Sequence, residues 1–267
     1  MRQTRSAAKN RAAFEWGRWV AHDSTAVHSA LATAGKSTHS VSANPFEPSP
    51  RAIHLATLLF GERSLPRELS DLLTRRTAQV IDYQNATLAR RYLNLVERVA
   101  AKDSVEKDWA LTRAITEGWF KLLTYKDEYE VARLHAATDY EAMARDLGIE
   151  GEYTLRYHLQ PRFLSRMGMT HKLAMGKPFA VLFRVLRHMK QLRGTPFDFL
   201  GWDSDRRLER AVAQDYERMV NATLGALPYE AMVELATSAE QVKGYGSVKE
   251  RNVAAWRERV SELHSAS

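Results

Sequence analysis

From Leu69 to Val99 the chain reads LSDLLTRRTAQVIDYQNATLARRYLNLVERV, and the reading of this stretch decides the fold. Leu69, Leu72, Leu73, Val80, Tyr83, Leu95, Val96 and Val99 recur at intervals that gather apolar side chains on one face of an α-helix. Ser64 stands where an N-cap belongs and Pro66 falls in the first turn, so one long helix, broken at most once, is expected from there. Further on, Asp103 and Glu106 have capping-box spacing, ahead of Trp109, Ile115, Trp119, Leu122, Leu123, Tyr129 and Leu134. That second stripe predicts another long helix, and two such helices pack as an antiparallel hairpin.

The same periodicity extends outward. Residues 9–31 read as an amphipathic helix anchored by Phe14, Trp16 and Trp19, and residues 33–50, rich in Ser, Thr, Pro and Gly, read as a linker. A short helix from Tyr140 stops at Gly148. Tyr153, Leu155, Tyr157 and Leu159 then alternate with polar residues, the period of a strand, and Met169–Met175 either pairs with it or covers it as a loop. Pro178 opens a helix carrying Phe179, Leu182, Phe183, Leu186 and Met189, and Gly194-Thr195-Pro196 stops it. Asp203 or Ser204 caps a helix with Leu208, Val212, Tyr216, Met219 and Leu224; Pro228 begins a shorter one; and Ser247 with Glu250 forms a capping-box pair before the last. The expected fold is mainly α, a multi-helix bundle with long antiparallel helices and at most one small β-hairpin. Its expected domains are an N-terminal helical segment (1–32), a linker (33–50) and a helical C-terminal domain (51–267).

Composition narrows the function classes. The 267 residues contain no cysteine, so the chain supplies neither thiolates for an iron–sulfur cluster nor a disulfide. The net charge of +7 permits an acidic partner, although bases interleave with acids through most helices, as on a solvated mixed surface. No run approaches a membrane span, and the charged sequence after the basic N-terminus does not suit a signal peptide; a cytoplasmic protein is expected. Walker, HExxH, GxSxG, zinc-type and Gly-Asp-Gly motifs are missing from the sequence, and the nine histidines form no close pair on one helix face. Without a recognised motif, basic stripe or aromatic platform, nucleic-acid binding is not expected.

Three constellations carry polar groups in patterns that chemistry could use. Tyr125-Lys126-Asp127-Glu128-Tyr129-Glu130 sets charges among aromatics, which suits proton transfer or a helix touching a neighbouring domain. In Arg193-Gly194-Thr195-Pro196-Phe197-Asp198, a salt bridge between Arg193 and Asp198 would close a tight loop. Lys243-Gly244-Tyr245-Gly246-Ser247-Val248-Lys249 is a glycine loop entering a helix N-terminus, with free N–H groups and two lysines for a phosphate or carboxylate, or simply a cap. The candidate contacts are therefore Lys126, Asp127, Glu128, Arg193, Asp198, Lys243, Tyr245 and Lys249; none is assigned a catalytic or metal-binding role.

The words Tyr83-Gln84-Asn85-Ala86, Tyr125 to Leu134, Arg193 to Asp198 and Gly244-Tyr245-Gly246 resemble, in order and spacing, the C-terminal region of the long bacterial indolepyruvate ferredoxin oxidoreductases. Arg11 to Arg18 is similar to the end of the gamma-type domain that precedes that region. The resemblance departs at Ser247, where relatives are expected to carry histidine, and between Arg162 and Gly176. It implies a complete enzyme that oxidatively decarboxylates a 2-oxoacid with thiamine diphosphate, magnesium, iron–sulfur clusters and coenzyme A, with catalytic domains or subunits, or ferredoxin, as partners. This chain would be its non-catalytic helical domain or subunit. The alternative is a stand-alone helical module for an anionic ligand or acidic protein.

Overall fold

The computed structural model describes residues 46–61, 65–149 and 178–265, two three-residue strands, and a few isolated positions. Most of residues 9–31 and of the 33–50 linker, and Ser64, lie outside the described residues. Two compact units are present, one formed by residues 43–139 with 151–267 and the other by residues 1–42 with 140–150.

The larger unit begins with a helix that the sequence reading leaves unassigned, α1 (Pro50–Phe60). Its local cause is plain afterwards. Ser49 Oγ accepts from Ala52 N, Pro50 occupies the first turn, and Ala52, Ala56 and Phe60 fall on one buried face. The expected long helix follows, broken once into α2 (Arg67–Tyr83) and α3 (Ala86–Ala100). Asn85 makes the break, because its side chain accepts from Leu88 N at 2.9 Å and restarts the helix.

The capping box proposed for Asp103 and Glu106 does not form. Glu106 lies exposed in a 3₁₀ turn (Val105–Lys107), and α4 (Ala110–Leu123) starts after Asp108 and Trp109, both at positive φ. Its first N–H groups are satisfied from a distance. Asp103 Oδ2 accepts from Thr112 N at 2.8 Å and Oγ1 at 2.7 Å, while Tyr229 OH accepts from Leu111 N at 3.1 Å and donates to Asp103 at 2.9 Å. The expected second long helix is also two, since Asp127 caps a separate α5 (Glu128–Ala137) through Glu130 N at 2.8 Å.

After α5, β1 (Tyr157–Leu159) pairs antiparallel with β2 (Leu173–Met175), Tyr157 opposite Met175, as the alternation anticipated. The last part of the unit is α7 (Pro178–Leu186), 3₁₀ turns at Arg187–Leu192 and Phe199–Trp202, α8 (Ser204–Thr223), α9 (Tyr229–Thr237), a 3₁₀ turn at Ser238–Gln241 and α10 (Ser247–Ser265). Ser247 is already helical, and Gly246 O accepts from Glu250 N at 3.0 Å, so the cap sits one residue before the expected pair. In the smaller unit, α6 (Tyr140–Asp146) ends as expected, with Gly148 at φ +66° and its N–H bonded to Arg145 O. No described helix is long and apolar enough to cross a membrane.

Helix α4 lies at the centre of the bundle, packed against α2, α3, α8 and α9. Trp119 is fully buried and stacks on Tyr216, with ring centroids 6.1 Å apart, and Tyr216 in turn meets Trp256 at 6.5 Å. Gly118 permits this closeness. A Cβ there would stand 2.8 Å from Tyr216 Oη and 3.0 Å from both Ala236 O and Ala239 Cβ. Gly118→Ala is therefore expected to destabilise the fold by about 1–3 kcal/mol despite alanine's better helix propensity. Urea denaturation would check this, and an unchanged or higher midpoint would contradict the packing argument.

Candidate functional site

The three words at Tyr83, Tyr125 and Arg193 meet at one buried polar cluster. Tyr83 and Gln84 close α2, Asp127 opens α5, and Arg193 follows the 3₁₀ turn after α7. The guanidinium grips Asp127 bidentately, Nε to Oδ2 at 2.6 Å and Nη2 to Oδ1 at 2.7 Å, with both side chains about 95% buried. Its third nitrogen donates to the Tyr83 carbonyl, and its plane lies 3.8 Å from the Tyr83 ring centroid. Gln84 Nε2 returns a bond to Arg193 O at 3.2 Å. One arginine thus ties together the end of α2, the start of α5 and the loop after α7.

The expected Arg193–Asp198 bridge is not what forms. Asp198 accepts from Gly194 N and Gly201 N, each at 2.9 Å, and from Tyr129 OH at 3.2 Å; its nearest cation is Arg210, at 3.8 Å. Within one hexapeptide the two charges face different partners, because Gly194 at φ +74° turns the chain so that its N–H points back to Asp198. Glu128 pairs with Arg206 at 3.3 Å, and Lys126 is exposed with its ammonium 5.7 Å from the Phe46 ring.

Burial works against the charge on Arg193, but Tyr83 and Asp127 outweigh it, and its pKa lies above the ordinary arginine value. Burial also raises the phenols of Tyr83, Tyr125 and Tyr129, so these stay neutral. A cavity of about 170 Å³ adjoins the cluster, between Tyr83, Tyr125, Leu122, Arg193 and Arg210. A wider cleft of about 690 Å³ lies beside Lys126, but its cations are engaged: Arg76 pairs with Glu117 at 2.8 Å, and Lys121 donates to the carbonyls of Ala239 and Glu240 at 3.0 Å.

The third constellation stands apart. Lys249 forms a 2.5 Å ion pair with Glu209 on α8, with both side chains largely buried, and Asn252 bonds Lys243 O at 2.8 Å. Tyr245 and Lys243 are exposed. One of the two lysines meant to hold an anion is therefore already neutralised by a carboxylate.

Residues 69–262, well over half of the chain, match a family of unknown function, DUF6537. The chain belongs to the DUF6537 family. Every residue of the Arg193 cluster falls inside the matched DUF6537 region, as do Gly244-Tyr245-Gly246. No curated protein and no solved structure matches the chain. Tyr83, Gln84, Arg206 and Arg210 were not singled out by residue chemistry, and the carbonyl and ring roles of Tyr83 leave no mark in a sequence.

Proposed function

We propose that this DUF6537 chain is a non-catalytic helical domain or subunit of an indolepyruvate ferredoxin oxidoreductase, supporting a thiamine-dependent decarboxylation that other domains or chains carry out. The observation that carries this reading is where the resembling words go. Their charged residues Arg193, Asp127 and Asp198 are buried and held by ion pairs and hydrogen bonds, so these charges tie helices together and do not face a substrate. The donor set agrees: the chain has no cysteine, and among the described residues no group of three or more His, Cys, Asp or Glu could hold a metal ion. Iron–sulfur and thiamine diphosphate sites would then belong to companions, which a helical module packs against and shields.

The purified chain is expected to show no indolepyruvate-dependent reduction of a viologen dye, and to co-purify in stoichiometric amount with a thiamine-dependent 2-oxoacid oxidoreductase from its native cell. Turnover by the chain alone, or stoichiometric partners without such an enzyme, would refute the proposal.

A further inference from the structure

The excess positive charge is concentrated, not spread. Between Tyr153 and Phe197 there is no Asp or Glu, while nine Lys and Arg occur there; the other 222 residues hold 30 basic against 32 acidic side chains. The whole net charge thus comes from one run of 45 residues. Within it, α7 is seated by its inner face. Phe183 is buried and stacks on His135 of α5, with centroids 5.0 Å apart.

The outer face of α7 is apolar and exposed. Val181, Leu182 and Val185 are 57%, 43% and 54% exposed. Val181, Arg184, Val185, His188, Met189 and Leu192 line a groove of about 550 Å³ that contains no acidic side chain. An apolar floor rimmed by Arg184, His188 and Gln191, with no acid, is complementary to a partner with the opposite arrangement.

We propose that this α7 groove docks an acidic protein segment, with an apolar side chain seated against Val181 and Val185 and carboxylates meeting Arg184 and His188. The inference rests on charge and shape and does not require the oxidoreductase reading. Two observations favour a polypeptide over other anions. The surface is concave, so it receives a protruding side chain, whereas a bilayer is met by a convex amphipathic helix. Its floor is aliphatic, whereas single-stranded nucleic acid is held on aromatic platforms.

The test uses a fluorescent random Glu/Tyr copolymer titrated onto the full chain, alongside poly-Glu, poly-U and phosphatidylserine vesicles. The copolymer is expected to bind more tightly than poly-Glu and to weaken with salt. Arg184→Glu should weaken it roughly tenfold and Val181→Ser/Val185→Ser roughly fivefold, while Arg67→Glu, the same charge change on exposed α2 surface, leaves it unchanged. The proposal is overturned if the copolymer does not bind, if Arg67→Glu weakens it as much as Arg184→Glu, or if poly-U or vesicles bind more tightly with the same sensitivity. It is equally overturned if the chain is a dimer in solution that Val181→Ser/Val185→Ser dissociates.

Discussion

Arg193→Leu is expected to cost this fold about 3–5 kcal/mol, the range for breaking a buried ion pair from one side. The arginine itself is not the main loss. Its removal strands the Asp127 carboxylate, about 95% buried, with only Glu130 N still donating to it, and it leaves the Tyr83 carbonyl without its donor. For a bundle of this size the melting temperature should fall by roughly 6–20 °C. The double variant Arg193→Leu/Asp127→Asn should recover on the order of 1–2 kcal/mol, because asparagine still caps α5 and no longer buries an unpaired charge. Paired thermal and urea denaturation of the two variants would decide it. A loss below about 1 kcal/mol in the single variant, or no recovery in the double, would mean that the cluster does not hold the helices as described.

Trp119→Ala should be comparably severe, about 3–5 kcal/mol, since it empties the space at the centre of the bundle. Trp119 is fully buried between Tyr216 and the Arg91 guanidinium, which lies 5.4 Å from its ring. The informative comparison is Trp119→Phe. The indole Nε1 is buried without a hydrogen-bond partner, so phenylalanine gives up volume but no bond and should cost less than half as much. Equal losses for the two variants, measured by urea denaturation, would show that the indole nitrogen has a partner after all.

Much of the architecture was legible before any coordinates. The stop at Gly148, the Tyr157–Leu159 strand with its partner and the starts at Pro178 and after Pro228 all follow from signals held within a few residues. The misreadings share a cause. Asp103 and Glu106 have capping spacing, yet the first turn of α4 is completed by Tyr229, more than a hundred residues away, and spacing carries no information about such a partner. The ten-residue word at Tyr125 was read as part of one helix because its apolar stripe continues through Trp119, Tyr129 and Leu134; Asp127 interrupts it because it serves both as a cap and as the anion for Arg193. The Lys243 to Lys249 loop was read as two available lysines, and only packing against α8 revealed that Glu209 occupies one.

The chain by itself determined that it is a helical protein, where several helices start, and that it carries no thiolate, because periodicity, caps and composition act through neighbours along the backbone. Tertiary structure alone decided which charges are paired. Arg193 selects Asp127 over the nearer Asp198 because burial penalises every unpaired charge, and the pairing that satisfies all of them is a property of three chain segments together, not of any one.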